Sequence, residues 1–165
     1  MNQKVTATSL PNNSIIKSFI NTVDYEDSFA MLLLNKDATI QSVYLNIFNH
    51  SPKWVDFLMS LRNKLVGIFG VKTDASKQVN TELKVGIKSG IFNIYAIEKN
   101  EIIAGENDKH LNFRVSVLKD NGLLTVTTLV KYNNWFGKLY FFIVKPFHKR
   151  IVKAMLKNAI KNNRL

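Results

Sequence analysis

The sequence contains no cysteine, which excludes disulfide bonds, thiolate metal sites and cysteine nucleophiles. It also lacks a long apolar run. The longest strongly apolar stretch, Leu139 to Val144, lies between two lysines and is far shorter than the roughly 20 residues of a membrane-spanning helix. The first residues do not form the apolar segment of a signal peptide. These absences predict a soluble protein of the cytoplasm.

Acidic residues are absent after Asp120, and the chain as a whole carries a formal charge of +11. Residues 1–120 hold fourteen basic and twelve acidic residues, whereas residues 121–165 hold nine basic residues and no acidic ones. The excess positive charge therefore belongs to the C-terminal segment. Such a segment can attract anionic lipid headgroups or nucleic-acid phosphates. Nucleic acid is the less favoured partner, because most of these residues are lysines and bidentate phosphate contacts favour arginine.

The 165 residues, 46% of them hydrophobic, suffice for a single domain with an apolar core. Residues 1–20 are polar and weakly patterned, and we expect them to form a loosely ordered N-terminal arm. Residues 21–165 are expected to form the domain. Its first predicted element is a strand from Thr22 to Leu34, because the aromatic and apolar residues there do not repeat with a helical period.

Two short amphipathic helices are predicted next. Thr39 is a candidate N-cap, and the apolar residues from Ile40 to Phe48 follow at helical spacing. Ser51-Pro52 starts a second helix, whose apolar positions run from Trp54 to Ile68 before a terminating Gly70. Neither helix is joined to a preceding strand by a glycine-rich loop, so the sequence does not indicate a nucleotide-binding βαβ unit.

The period of the apolar residues changes from 3.6 to 2 after about residue 84. Strands are predicted at Ile91 to Ile97, Glu101 to Gly105, Leu111 to Leu118 and Leu123 to Tyr132, with a further short one at Lys84 to Lys88. Asn121-Gly122 predicts a tight hairpin turn, because these two residue types tolerate positive φ angles. Strands joined by short turns indicate an antiparallel meander with one buried face.

A long amphipathic helix is predicted after Asn133 or Asn134, either of which can cap it. Apolar residues recur at steps of three and four from Phe136 to Ile160, and lysines run along the other side. Pro146 lies inside this helix and should kink it. In an alternative interpretation, the preceding strand continues to Val144 and the helix begins at Pro146.

Five groups of residues carry a resemblance to a known family. They are Ser51-Pro52 with Trp54-Val55, Leu61-Arg62-Asn63, Gly105 to Arg114, Thr127 to Val130, and Pro146-Phe147-His148 with Ile151-Val152. Together, over about residues 22–157, they resemble the bacterial domain-of-unknown-function family 2867, which is usually placed with the START-like (SRPBCC, birch-pollen-allergen-like) proteins. The resemblance and the order of elements imply an α+β helix-grip fold. In that fold an antiparallel sheet wraps a long C-terminal helix and leaves a cavity between them.

Binding of a ligand in that cavity is the preferred function. The aromatic residues of the last helix are too many for one face. Core packing is one use for them, and lining a pocket for a small apolar or amphipathic molecule is another. The candidate ligand-binding residues are Phe113, Val115, Val126, Thr128, Tyr140 and His148. No cofactor is expected, and the sequence leaves the oligomeric state open. The basic face of the last helix is either simply the solvated face of that helix or an alternative site of interaction, with an anionic membrane surface or another partner.

The densest polar cluster of the sequence is Glu106, Asp108, His110 and Arg114. Asp108 and His110 are candidate acid–base residues of an enzyme that would act on the bound ligand. No metal is predicted. A solvated turn whose charges pair with one another explains the same residues. The alternation of the strand that follows supports this second interpretation, because it places His110 and Arg114 away from the apolar face.

Overall fold

The structure is a computed structural model that describes residues 4–56, 82–90, 92–161 and 165. Within these residues one antiparallel sheet has seven strands in the order β1-β2-β7-β6-β5-β4-β3. The strands are β1 Thr6–Thr8, β2 Tyr25–Leu32, β3 Lys88–Ser89, β4 Phe92–Ile97, β5 Glu101–Asn107, β6 Leu111–Asp120 and β7 Leu123–Tyr132. The meander from β3 to β7 therefore ends beside β2, and β1 pairs with the other edge of β2.

The sheet is accompanied by a 3-10 turn at Ile16–Phe19, by α1 at Ile40–Phe48 and by α2 at Trp135–Lys161. Residues 53–56 are also helical, and the rest of the predicted second helix lies outside the described residues. The long C-terminal helix packs on the sheet, so the chain has the predicted α+β, helix-grip-like arrangement. None of the described helices combines the length and the apolar character needed to cross a bilayer.

Short local signals account for the ends of these elements. The hydroxyl of Thr39 accepts the backbone N–H of Ser42 and caps α1, as predicted. Oδ1 of Asn134 accepts the backbone N–H of Gly137 and caps α2 in the same way. Asn121 and Gly122 have φ angles of 48° and 78°, which confirms the predicted hairpin turn between β6 and β7.

The C-terminal helix is continuous through Pro146. Because β7 ends at Tyr132 and the cap at Asn134 starts the helix directly afterwards, the alternative with a strand reaching Val144 is wrong. The structure also differs from the prediction of a short strand at Lys84 to Lys88. These residues include a turn with Gly86 at a φ of 80°, and strand structure begins only at Lys88.

The main core lies between the sheet and the helices. Alternate residues of the longer strands point to this side, for example Phe29 of β2, Val115 of β6 and Val126 of β7. Tyr44 of α1 and Leu156 of α2 complete the same cluster. This side of the sheet, which we call the inner face, therefore carries the apolar residues that the strand alternation predicts.

The N-terminal residues cover the opposite, outer face of the sheet. Ile16 and Ile20 pack there against Ile103 and Leu129. The carboxylate of Glu101 is buried beneath them. It accepts hydrogen bonds from the hydroxyls of Ser14 and Ser116 and from the backbone N–H of Ile15.

Apolar packing and hydrogen bonds to a buried carboxylate hold part of this segment against the sheet, and the expectation of a loosely ordered N-terminal arm stays a prediction. β1 adds to this attachment by pairing with β2. That residues 21–165 form a separate domain stays a prediction.

Candidate functional site

Asp27 places a carboxylate on the inner face of the sheet. Alternate residues of a strand point the same way, and Phe29 and Met31, which follow Asp27 at steps of two, belong to the main core. The Asp27 side chain is 8% exposed. Burial of a carboxylate costs free energy unless hydrogen-bond donors replace the lost water. The groups around Asp27 therefore decide whether a charge is tolerated here.

Two donors from different elements converge on this carboxylate. Tyr25, two residues earlier on β2, donates its hydroxyl to Oδ2 of Asp27 over 2.6 Å. Nε2 of His148, on α2, lies 3.3 Å from both Oδ1 and Oδ2. Because a carboxylate only accepts hydrogen bonds, Nε2 carries a proton in this contact. The three side chains tie β2 to the middle of α2, and we call them the Asp27 cluster.

The phenol of Tyr25 remains a donor over the whole physiological range. Burial raises the pKa of Tyr25 well above its ordinary value, and the hydrogen bond to Asp27 and the negative charge of that carboxylate raise it further. Ionisation would place two negative charges in contact in an apolar surround. Tyr25 is thus a neutral and permanent partner of Asp27.

Aromatic and aliphatic side chains surround the Asp27 cluster. Phe141 is seven residues before His148 and lies on the same side of α2, because seven residues are almost two helical turns. Its ring centroid is 4.7 Å from that of Tyr25 and 6.3 Å from that of His148. Phe141 and Tyr25 form a buried group with Leu111 and Val130. This apolar surround strengthens the hydrogen bonds to the carboxylate.

Two lysines of α2 border the cluster. Nζ of Lys145 lies 5.1 Å from the centroid of the Tyr25 ring, and Nζ of Lys153 lies 5.1 Å from the centroid of the Phe29 ring. Both contacts have cation–π geometry. The positive potential that they create on this side of the helix would favour a ligand with an anionic or strongly polar end.

The hydroxyl of Tyr44 is a second polar group on the inner side of the core. Tyr44 lies on α1, its side chain is fully buried, and its Oη has no hydrogen-bond partner among the described residues. Burial raises the pKa of Tyr44, so the hydroxyl is neutral. A buried polar group without a partner costs about 1–3 kcal/mol. A bound molecule that supplied the missing hydrogen bond would remove this cost.

A row of aromatic rings connects the two polar features. The centroid of Tyr44 is 4.6 Å from that of Phe48, which is 5.3 Å from that of Phe92, which is 5.7 Å from that of Phe113. Phe113 in turn packs against the buried group that contains Tyr25. We call these four rings the aromatic row. It runs along the inner face from the free hydroxyl toward the Asp27 cluster.

Four of the predicted ligand-binding residues are apolar or aromatic parts of this inner surface. Val115 and Val126 are buried in the main core. Phe113 belongs to the aromatic row, and Tyr140 of α2 packs against the buried group around Tyr25. Their contact with a ligand stays a prediction.

The other two predicted residues, Thr128 and His148, meet at Asp27. Thr128 pairs with Asp27 in the β2–β7 ladder, and His148 contacts its carboxylate. The sequence reasoning missed Asp27 and Tyr25. A signal for both was present, since Tyr25, Asp27 and Phe29 alternate within a predicted strand, which places a charge on an apolar face.

Arg114, from the predicted polar cluster, is buried on the outer face. Its Cζ lies 3.9 Å from the centroid of the Tyr95 ring, and its guanidinium donates to the carbonyl of Phe113 over 2.7 Å and to Oδ1 of Asn107 over 2.9 Å. Burial lowers the pKa of Arg114, while Tyr95 and Glu106 act in the opposite direction. The sheet therefore separates Arg114 from the Asp27 cluster.

The other members of the predicted polar cluster stabilise the turn between β5 and β6. Oε1 of Glu106 accepts a hydrogen bond from Asn93 over 2.9 Å. The Asp108 carboxylate accepts the backbone N–H of His110 over 3.0 Å, and the His110 ring lies 4.7 Å from that of Phe136 at the start of α2. These contacts account for the residues without acid–base chemistry, and the catalytic role of Asp108 and His110 stays a prediction. In the part of the chain that the structure describes, no three His, Asp or Glu side chains are grouped to hold a metal ion.

A family model covers most of the chain and all of the Asp27 cluster. The model of a family described as a protein of unknown function (DUF2867) matches residues 19–155. The chain belongs to the DUF2867 family. In this DUF2867 protein the matched region contains the whole site, whereas Ser14, which holds the N-terminal segment to Glu101, precedes that region. No curated protein matches the chain significantly.

Proposed function

We propose that this DUF2867 domain binds a small amphipathic molecule between the inner face of the sheet and α2. The observation that carries the proposal is the Asp27 cluster, a carboxylate–imidazole–phenol group on a surface that is otherwise apolar. Ligand pockets are lined mainly by apolar and aromatic side chains, with a few polar groups that fix the orientation of the ligand. The inner face has this composition.

The polar end of the ligand would bind at Asp27 and His148. Nε2 of the imidazole faces the carboxylate, so Nδ1 is the nitrogen that remains for a ligand. A hydroxyl, amine or carboxyl group could bond to Nδ1 or to the carboxylate. Such a pair can also move a proton, and a reaction on the bound ligand would use the same two residues.

The apolar body of the ligand would lie along the aromatic row, and Tyr44 would face its far end. The unpartnered hydroxyl of Tyr44 supports this orientation, because a second polar atom of the ligand would satisfy it. The helix-grip-like arrangement supports a further proposal, that the domain is START-like (SRPBCC). Proteins of that superfamily are expected to leave a cavity in the corresponding place.

Two probes with the same apolar body separate the polar contact from the apolar one. We expect naphthol to bind more tightly than naphthalene, because only naphthol has a hydroxyl for Asp27 and His148. Asp27→Asn and His148→Gln should each weaken naphthol binding about tenfold and change naphthalene binding much less, as expected for loss of one hydrogen bond to a charged group. Fluorescence titration measures both affinities. The control is His50→Gln, since His50 is exposed and lies outside the Asp27 cluster.

Native mass spectrometry of the protein as purified provides a second measurement, which requires no chosen probe. We expect a small molecule that is retained by the wild-type protein and lost from His148→Gln. The proposal is wrong if the protein retains no molecule and binds neither probe, or if both probes bind equally well to the wild-type protein and both variants.

A further inference from the structure

The outward side of the first half of α2 carries large apolar side chains that face solvent. They are Trp135, Leu139, Phe142, Ile143 and Phe147. Leu139 follows Trp135 by four residues, Phe142 and Ile143 follow Leu139 by three and four, and Phe147 follows Ile143 by four. The five residues therefore form one stripe on the helix, on the side away from Phe141. We call them the apolar stripe. Trp135 and Phe142 are each 76% exposed, so packing against the described residues does not explain them.

The stripe is long and convex. Twelve residues separate Trp135 from Phe147, which corresponds to about 18 Å along a helix. Single exposed apolar residues are ordinary, but a contiguous exposed patch marks an interaction surface. A helix side from which tryptophan and phenylalanine protrude offers no groove for a peptide. A broad and deformable surface is the better match for such a shape.

Basic residues border the stripe. Lys138, Lys145, Lys149 and Arg150 lie on the same two-thirds of the helix, and all four are exposed. The chain has no acidic residue after Asp120 to neutralise them. An anionic partner is therefore complementary in charge. A second copy of the chain would instead bring two positively charged helices together, which like-charge repulsion opposes.

We infer that the apolar stripe docks on the surface of an anionic lipid bilayer. Trp135 and Phe142 would enter the region of the headgroups, where aromatic side chains are favoured, and the lysines would contact the lipid phosphates. The helix would lie in the plane of the surface. This inference concerns the outward side of α2 and does not depend on a ligand at the Asp27 cluster.

Sedimentation with vesicles tests this docking. We expect the full chain to bind vesicles of phosphatidylcholine with about one-third phosphatidylglycerol and to bind pure phosphatidylcholine at least about tenfold more weakly, because each basic residue near an anionic surface adds attraction. The combined variant Trp135→Ser/Phe142→Ser should bind the anionic vesicles at least about tenfold more weakly than the wild type, since it removes two large apolar contacts. Lys138→Gln/Lys149→Gln should weaken binding and reduce its dependence on salt.

Matched controls come from the same chain. Leu34→Ser removes an apolar side chain that is 55% exposed but distant from the stripe, and Lys4→Gln/Lys17→Gln removes two exposed lysines of the N-terminal segment. Both should bind like the wild type. The tryptophan emission of Trp54→Phe, which reports on Trp135 alone, should shift to shorter wavelength when anionic vesicles are added.

Three results would overturn the inference. The first is an absence of binding to anionic vesicles by the wild type. The second is vesicle binding that Trp135→Ser/Phe142→Ser leaves unchanged. The third is a stable dimer in light scattering that the same substitutions dissociate, because a second copy would then be the occupant of the stripe.

Discussion

Nε2 of His148 lies 3.3 Å from both carboxylate oxygens of Asp27, although 121 residues separate the two along the chain. The contact joins the first long strand to the last helix across the inner face of the sheet. Both side chains are largely buried: that of Asp27 is 8% exposed and that of His148 is 19% exposed. A pair of this kind helps to position α2 on the sheet. It also presents polar atoms to the space between α2 and the inner face, where we propose that a ligand binds.

Substitution of Asp27 should show how far the cluster stabilises the fold. We expect Asp27→Ala to lower the free energy of unfolding by about 1–3 kcal/mol, because the buried hydroxyl of Tyr25 would lose its acceptor. Asp27→Asn keeps an acceptor oxygen and should lose less. Urea denaturation measures both changes. Glu26→Ala, one residue away and exposed, should stay within about 0.5 kcal/mol of the wild type, and equal losses for all three variants would contradict the prediction.

Gly137 should resist substitution although it lies in a helix. A Cβ there would stand 1.9 Å from the carbonyl oxygen of His110 and 2.7 Å from its carbonyl carbon, both of which are backbone atoms. Alanine ordinarily stabilises a helix relative to glycine by roughly 1 kcal/mol, but the clash should reverse the sign. We expect Gly137→Ala to destabilise the protein by about 1–3 kcal/mol in thermal or urea unfolding. Lys138→Ala, at the next and exposed position, is the control, and a stabilised Gly137→Ala would show that α2 can move away.

The attachment of the N-terminal segment should depend on Ser14. Its hydroxyl donates to the buried carboxylate of Glu101, so Ser14→Ala should lower stability by about 1 kcal/mol. Hydrogen exchange should accelerate mainly between Ile15 and Ile20, because that segment is held over the outer face by this contact. Ser18→Ala, at an exposed position of the same segment, should change neither quantity. Exchange that accelerates equally throughout the sheet would argue against a local role.

Alkaline pH should unfold the protein through its tyrosines. Burial raises the pKa of Tyr25, Tyr44 and Tyr132 in the folded state. A group with a higher folded pKa stabilises the fold fully below its unfolded pKa, near about 10 for tyrosine, and this contribution is lost as the pH rises toward the folded pKa. We expect the urea midpoint to fall steadily above about pH 10. Phenolate absorbance should show tyrosines that titrate only upon unfolding, and complete titration of the folded protein near pH 10 would refute this.

Much of the fold follows from local signals in the sequence. The alternation of apolar residues in β6, the positive φ angles at Asn121-Gly122 and the cap at Thr39 depend on neighbours within a few residues. The burial of Ile16 and Ile20 does not follow from such local signals, because these residues show no period and are buried only by contact with distant strands.

The candidate site was partly predictable. His148 and Thr128 were identified because they follow or lie in patterned elements, but their shared partner Asp27 comes from the other end of the chain. Pairing of β2 with β7 sets the position of Asp27 opposite Thr128, and no local pattern states which strands become neighbours. Arg114 illustrates the opposite case, since alternation alone places it on the outer face.

The same chemical change at two tyrosines should have opposite effects on stability. Tyr44→Phe removes a buried hydroxyl that has no partner among the described residues, so the ligand-free protein should become more stable, by up to about 1 kcal/mol. Tyr25→Phe removes a hydroxyl that donates to Asp27 over 2.6 Å and should destabilise the protein by about 1–2 kcal/mol. Urea denaturation of both variants, side by side, measures the contrast.

If a ligand bonds to the Tyr44 hydroxyl, saturation with that ligand should raise the melting temperature of the wild type more than that of Tyr44→Phe. A ligand-free Tyr44→Phe protein that is less stable than the wild type would mean that a protein group or an internal water already satisfies this hydroxyl.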